Sequence, residues 1–143
     1  MRRIILAITL AALCVSASAQ LNTARGVGAI DNGGAENYFA LNIVGVGERA
    51  FGFVAFSTGT DMNATAIFAF ATGAAWEDDR VAITGMGVLV HEGQHIPVTI
   101  RAIAIDGGES DDGFGIAAFD ENGNELFAAG GVVVRGGIVI GSR

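Results

Sequence analysis

Apolar residues recur at every second position in a series of short runs along most of the chain. NYFALNIVGV puts Phe39, Leu41 and Ile43 on one face. RAFGFVAFS sets Phe51 and Phe53 on one face and Val54 and Phe56 on the other, and TAIFAFAT offers Phe68 and Phe70. Val81, Ile83 and Leu89 are in phase in RVAITGMGVLVH, and in IPVTIRAIAID Val98 and Ile100 face away from Thr99 and Arg101. FGIAAFD aligns Phe114, Ile116 and Ala118. ELFAAGGVVVRGGIVIG carries the last two strands, divided at Gly130-Gly131 or at Gly136-Gly137. A spacing of two, filled by β-branched and aromatic residues, predicts strands and not helices. Connections are short, as in hairpins, and several runs are apolar on both faces. The expectation is an all-β domain of about eight antiparallel strands, closed as an up-and-down barrel or packed as a β-sandwich. Phe39, Phe53, Phe68, Val98, Ile100 and Phe114 are expected to line its core.

The N-terminus breaks this pattern. MRRIILAITLAALCVSASAQ has a basic start at Arg2 and Arg3, an apolar stretch from Ile4 to Val15 and a small-residue site at Ala17-Ser18-Ala19. That is the form of a cleaved secretory signal peptide over residues 1–19, with residues 20–143 as a single mature domain. No Ser or Thr precedes the twin arginines and the apolar stretch is strongly so, which favours the general secretory route over folded export. Cys14 follows Leu13, not a small residue, and reads as part of the apolar stretch. The expected location is the periplasm, the cell surface or the medium.

Composition sharpens this picture. The mature part would have no cysteine, hence no disulfide framework and no thiol chemistry. All 22 glycines lie in it, with Pro97 the single proline, and they punctuate apolar runs as turns do. Losing Arg2 and Arg3 leaves six arginines against fifteen carboxylates, a net charge of −9 without one lysine. Such a surface argues against nucleic acid and against anionic lipid as partners.

One motif invites an enzymatic reading. HEGQH, His91 to His95, fits the H-E-x-x-H zinc-peptidase pattern. That chemistry needs a helix, so that both imidazoles share a face with the glutamate beside the metal, and it needs a third ligand. The flanks alternate like strands, Gly93 and Pro97 are poor inside helices, and no third histidine exists. The expectation is a hairpin tip at Glu92-Gly93-Gln94. His91 and His95 remain candidates for a non-catalytic Zn²⁺ or Cu²⁺ site.

Other candidates are weaker. DGGESDDG gathers Asp106, Glu109, Asp111 and Asp112, a set of Ca²⁺-type oxygens on a loop. DENGNE, from Asp120, begins like an EF-hand loop, but Glu125 stands where glycine is needed, and Asn122-Gly123 is a turn signal. GFGIAA fits a dinucleotide fingerprint with no helix after it, and no serine sits in a nucleophile elbow. The sequon Asn63-Ala64-Thr65 matters only in a glycosylating host. No catalytic residue and no cofactor is expected.

The stretches TGMGVLV, VTIRAIAIDGGESDDGFGIAAFDENGNEL and GGVVVRGGIVI resemble the post-COAP domain of bacterial exported and cell-surface proteins. The matching parts are Gly85 to Val90, Val98 to Gly108, Asp112 to Ala117 and Gly136 to Ile140. The first half is similar more loosely. Where that family often has Glu-Pro-Gly, this chain has Glu109-Ser110-Asp111. The resemblance implies an extracytoplasmic β-domain and no catalytic residues.

Three functions are therefore open. The first is a non-catalytic surface module in adhesion, assembly or binding, with a protein or other cell-surface component as partner. The second is a lipocalin-like barrel for a small apolar ligand, in which the nine phenylalanines would compete for the same space. The third is a zinc hydrolase using His91, Glu92 and His95. A chain with one Trp and one Tyr has no aromatic girdles, so an integral membrane barrel is not expected.

Overall fold

The computed structural model describes residues 20–61 and 63–142. The signal peptide expected over residues 1–19 lies outside them. Eight strands follow one another: β1 Leu21–Asn32, β2 Ala35–Val46, β3 Arg49–Ser57, β4 Ala66–Trp76, β5 Arg80–His91, β6 Gln94–Ile105, β7 Gly113–Phe119 and β8 Glu125–Ser142. Each pairs antiparallel with the next, and β8 returns to β1. The result is a closed up-and-down barrel, which removes both free sheet edges.

The core follows from alternation. Ile30, Ile43, Val54, Ile67, Val81, Ile83 and Ile100, one or two from each of six strands, are almost wholly buried. Phenylalanines fill the rest by meeting across the lumen. Phe39 of β2 stacks on Phe114 of β7 with centroids 4.8 Å apart. Phe56 of β3 lies 6.3 Å from Phe114 and 5.7 Å from Phe127 of β8. Rings from β3 and β7, opposite in an eight-strand ring, are thus in contact, so side chains occupy the barrel axis.

Three expectations are corrected. Phe53 and Phe68 do not line the core; Phe68 is 49 % exposed, and Phe56 and Ile67 take the inner positions. Both runs are apolar in both phases, so alternation alone does not choose the inner one. The pairs Val54↔Ala69 and Phe56↔Ile67 fit a narrow lumen, while Phe53↔Phe70 and Ala55↔Phe68 fall outside. Second, LNTARGVGAIDN, which is not among the runs from which eight strands are expected, is a strand, β1; small residues hide its alternation. Third, the last two expected strands are one 18-residue strand. It bends instead of turning. Val134 is an extra residue opposite β1, where the pairs jump from Ala29↔Arg135 to Ile30↔Val133. Next to it, Gly136 has φ +77° and faces Gly28, whose partner backbone leaves no room for a Cβ.

One seam is incomplete. β3 and β4 pair only from Phe53↔Phe70 to Ser57↔Ala66, leaving the first four residues of β3 unpaired with β4. Trp76, at the end of β4, fills the space behind this seam. Its indole edge packs on Gly45 of β2 so closely that a Cβ there would sit 2.5 Å from Nε1.

Candidate functional site

The distribution of charge over the barrel is the first observation that bears on function. All fifteen carboxylates lie in connecting turns or within two residues of a strand end. The outward positions of β2 to β5 carry no charge between Glu36 and Val46, between Phe51 and Ser57, between Ala66 and Trp76, or between Ala82 and Val90. Three arginines, Arg25, Arg101 and Arg135, interrupt the wall elsewhere, on β1, β6 and β8. Arg135 reaches over β1 to Glu36 of β2, with Nε 2.6 Å from Oε1.

The charge-free sector is aromatic. Phe51, Phe70 and Met86 are 59 %, 62 % and 61 % exposed. Phe53 stacks on Phe68 at 5.9 Å, and Phe68 meets Phe70 edge-on at 5.2 Å. Ladder pairing continues the patch sideways, Phe70 to Met86 and Phe68 to Val88. The strand backbone sets these side chains side by side, so they cannot fold away from water individually. Contiguous exposed patches of this kind mark interaction sites, whereas single apolar surface residues do not. The two phenylalanines assigned to the core from sequence, Phe53 and Phe68, belong to this patch. The signal for it is present in the runs themselves: apolar residues in both phases leave one set without a core to enter.

HEGQH is a hairpin. β5 ends at His91, β6 begins at Gln94, and Glu92 and Gly93 have φ +51° and +78°, the signs of a type I′ turn. The ladder pairs His91 with Gln94 and Val90 with His95. His91 therefore continues the inward phase of Leu89, and His95 the outward phase of Pro97 and Thr99. The two imidazoles sit on opposite faces and do not converge as a Zn²⁺ or Cu²⁺ pair. His91 Nδ1 instead lies 2.8 Å from Thr65 Oγ1, and its Nε2 is 3.8 Å from the Glu92 carboxylate.

The acidic loop is structural at two of its four positions. β7 pairs with β8 only as far as Gly113↔Val132, so beyond this point β8 offers N–H groups without a strand partner on that side. Asp112 Oδ2 accepts from Ile138 N at 2.8 Å and its Oδ1 from Gly107 N at 2.8 Å. Asp106 Oδ2 accepts from Ile140 N at 3.1 Å and its Oδ1 from Gly108 N at 3.0 Å. Carboxylates here replace the carbonyls of a missing strand segment. Glu109 and Asp111 point to solvent. No three His, Cys, Asp or Glu side chains converge to hold a metal ion among the described residues.

DENGNE is also a turn. Asp120 Oδ1 accepts from Asn122 N and Asn124 N, both at 2.9 Å, and Oδ2 from Asn124 Nδ2 at 3.1 Å. The bonds from Asn124, first from its backbone, hold the Asp120 carboxyl below its ordinary value.

A polar recess of about 310 Å³ opens where the ends of the domain meet the β4–β5 turn, lined by Gln20, Asn22, Trp76, Glu77, Asp78 and Ser142. The Trp76 Nε1 is buried and without a hydrogen-bond partner. It lies against Gly45, where an added Cβ would sit 2.5 Å away. No family model, no curated protein and no solved structure matches the chain.

Proposed function

We propose that this chain is an exported, non-catalytic β-barrel that serves as an adhesion, assembly or binding module at the cell surface or in the periplasm, and that it works through its outer wall. The observation that carries the reading is the charge-free aromatic sector of β2 to β5 around a lumen already filled by side chains. Two further facts support it. Candidate zinc and calcium ligands are held by hairpin and loop duties instead of converging on a common point. An apolar, occupied interior and wall arginines at Arg25, Arg101 and Arg135 are unlike a bilayer-embedded barrel, which keeps polar groups inside and charge away from lipid. The N-terminal leader and the post-COAP resemblance support export.

The double substitution Phe68→Thr with Phe70→Thr tests this reading, because threonine keeps strand preference at outward positions. The variant should retain its far-UV circular dichroism and, in dilute solution, its melting temperature, yet lose attachment to producing cells, moving from the cell-bound fraction to the medium. Unchanged attachment would overturn the outer-wall reading. Native mass spectrometry covers the lipocalin-like alternative: a stoichiometric apolar small molecule on the purified protein would move the function to the lumen.

A further inference from the structure

The outer-wall reading leaves open what covers the wall. We infer that it is a second copy of this chain, docked by the outward face of β2 to β5 in a two-fold dimer; this rests on that reading and names its partner.

Charge decides where two copies can meet. Each mature chain carries −9, so most approaches bring like charges together. The carboxylates sit at both ends of the barrel, and the face between them on β2 to β5 has none. This sector can be laid against itself without opposing like charges, and a two-fold contact requires such self-complementarity. An anionic bilayer is a worse fit. Acidic rims bracket the patch on either side, so the surface that would lie flat on lipid is edged by repulsion.

Size is compatible with a weak dimer. The four strands β2 to β5 span about 19 Å along the curved wall at ~4.8 Å spacing, and nine to twelve residues extend about 30–40 Å, so the whole wall measures roughly 600–750 Å² and the part facing a partner is smaller. That is below the about 800 Å² that each partner gives in a standard dimer, which places the association in the weak range. Composition agrees as well. Interface centres are depleted in charge and enriched in aromatic residues and methionine. Here Phe53, Phe68, Phe70 and Met86 occupy the middle, with Asn42, Thr72 and Thr84 around them. Phe70 is the central anchor: it pairs with Phe53 on one side and Met86 on the other, and is 62 % exposed.

Sedimentation velocity of the purified protein, from about 1 to 100 µM, tests the inference. The unmodified chain should sediment as a dimer. Phe70→Asp should weaken it at least ~100-fold, as expected for a central anchor, with an unchanged circular dichroism spectrum. Val139→Asp, at a residue 69 % exposed on β8, should leave the dimer intact. If Phe70→Asp perturbs the fold, Phe70→Thr replaces it and should weaken the dimer in the same direction. A monomer at 100 µM, or a dimer indifferent to both Phe70 changes, overturns the second copy as occupant. The outer-wall reading fails separately. A monomeric protein whose Phe68→Thr, Phe70→Thr variant still leaves the cells keeps the wall and loses the dimer. A dimer whose dissociation does not alter attachment keeps the dimer and loses that reading.

Discussion

At the residue scale, several side chains are explained by what the backbone around them needs. Glu92 has φ +51°, a conformation that costs a non-glycine residue about 1–2 kcal/mol unless its side chain suits it. Asparagine followed by glycine is the favoured type I′ pair. Glu92→Asn should therefore stabilise the protein by about 0.5–1 kcal/mol in urea denaturation. A loss of stability would show that the contact with His91 outweighs the backbone preference. Gly45 presents the opposite case. A methyl group there meets the Trp76 indole at 2.5–2.7 Å, so Gly45→Ala should destabilise by about 1–3 kcal/mol, as overpacking does. An unaltered midpoint would mean that the indole can shift freely. Asp120 gives a signed pH effect. Its carboxyl is held below its usual value by hydrogen bonds from Asn124. Its contribution is present above the unfolded value of about 3.9 and is lost as pH falls through the lower folded value. Asp120→Ala should therefore narrow the gap in melting temperature between pH 6 and pH 2; an unchanged gap would count against these bonds.

At the element scale, β8 and the loop before β7 form one unit. β7 has seven residues against eighteen in β8, so part of β8 would face the loop with unpaired amides. Asp106 and Asp112 close that gap. Asp112→Ala should cost about 1.5–3 kcal/mol, the worth of a hydrogen bond to a charged acceptor in a partly buried setting. Glu109→Gln and Asp111→Asn should stay within about 0.5 kcal/mol, as exposed substitutions do. Equal effects at all four, or a melting temperature raised by millimolar Ca²⁺ and not by Mg²⁺, would restore the loop as a cation site. This pairing of carboxylate to amide is not legible in a sequence, because Asp112 and Ile138 are 26 residues apart. What is legible is local. The inward phases of β2, β5, β6 and β7 and the hairpin at Glu92-Gly93 follow from alternation and turn chemistry. β1 is hidden because Gly26 and Gly28 stand where large residues would mark a face. β3 and β4 are ambiguous because only barrel closure decides which of two apolar faces turns inward.

At the scale of the whole molecule, closure creates two apolar surfaces from one alternating pattern, and they should respond differently to the same mutation. The inner surface is continuous across the axis. Phe114 touches Phe39 at 4.8 Å and Phe56 at 6.3 Å, so a single ring ties β7 to β2 and β3, which do not pair with it. Removing it opens a void that neighbouring strands cannot close, because each is held by ladders on both sides. Phe114→Ala should cost about 3–5 kcal/mol in equilibrium urea unfolding. The outer surface has no such void to leave. Phe70 is 62 % exposed, and its truncation to alanine removes area that is already in water. In dilute solution, where copies are apart, Phe70→Ala should change stability by less than about 1 kcal/mol, from lost strand preference and its edge-on contact with Phe68. Above the concentration at which copies associate, the same substitution should lower stability further, because binding to the folded state alone stabilises it by mass action. A protein-concentration series of unfolding midpoints for the two variants measures both. Similar costs at all concentrations would mean that inner and outer phenylalanines are equivalent, and the division of labour between a filled lumen and a working wall would be wrong.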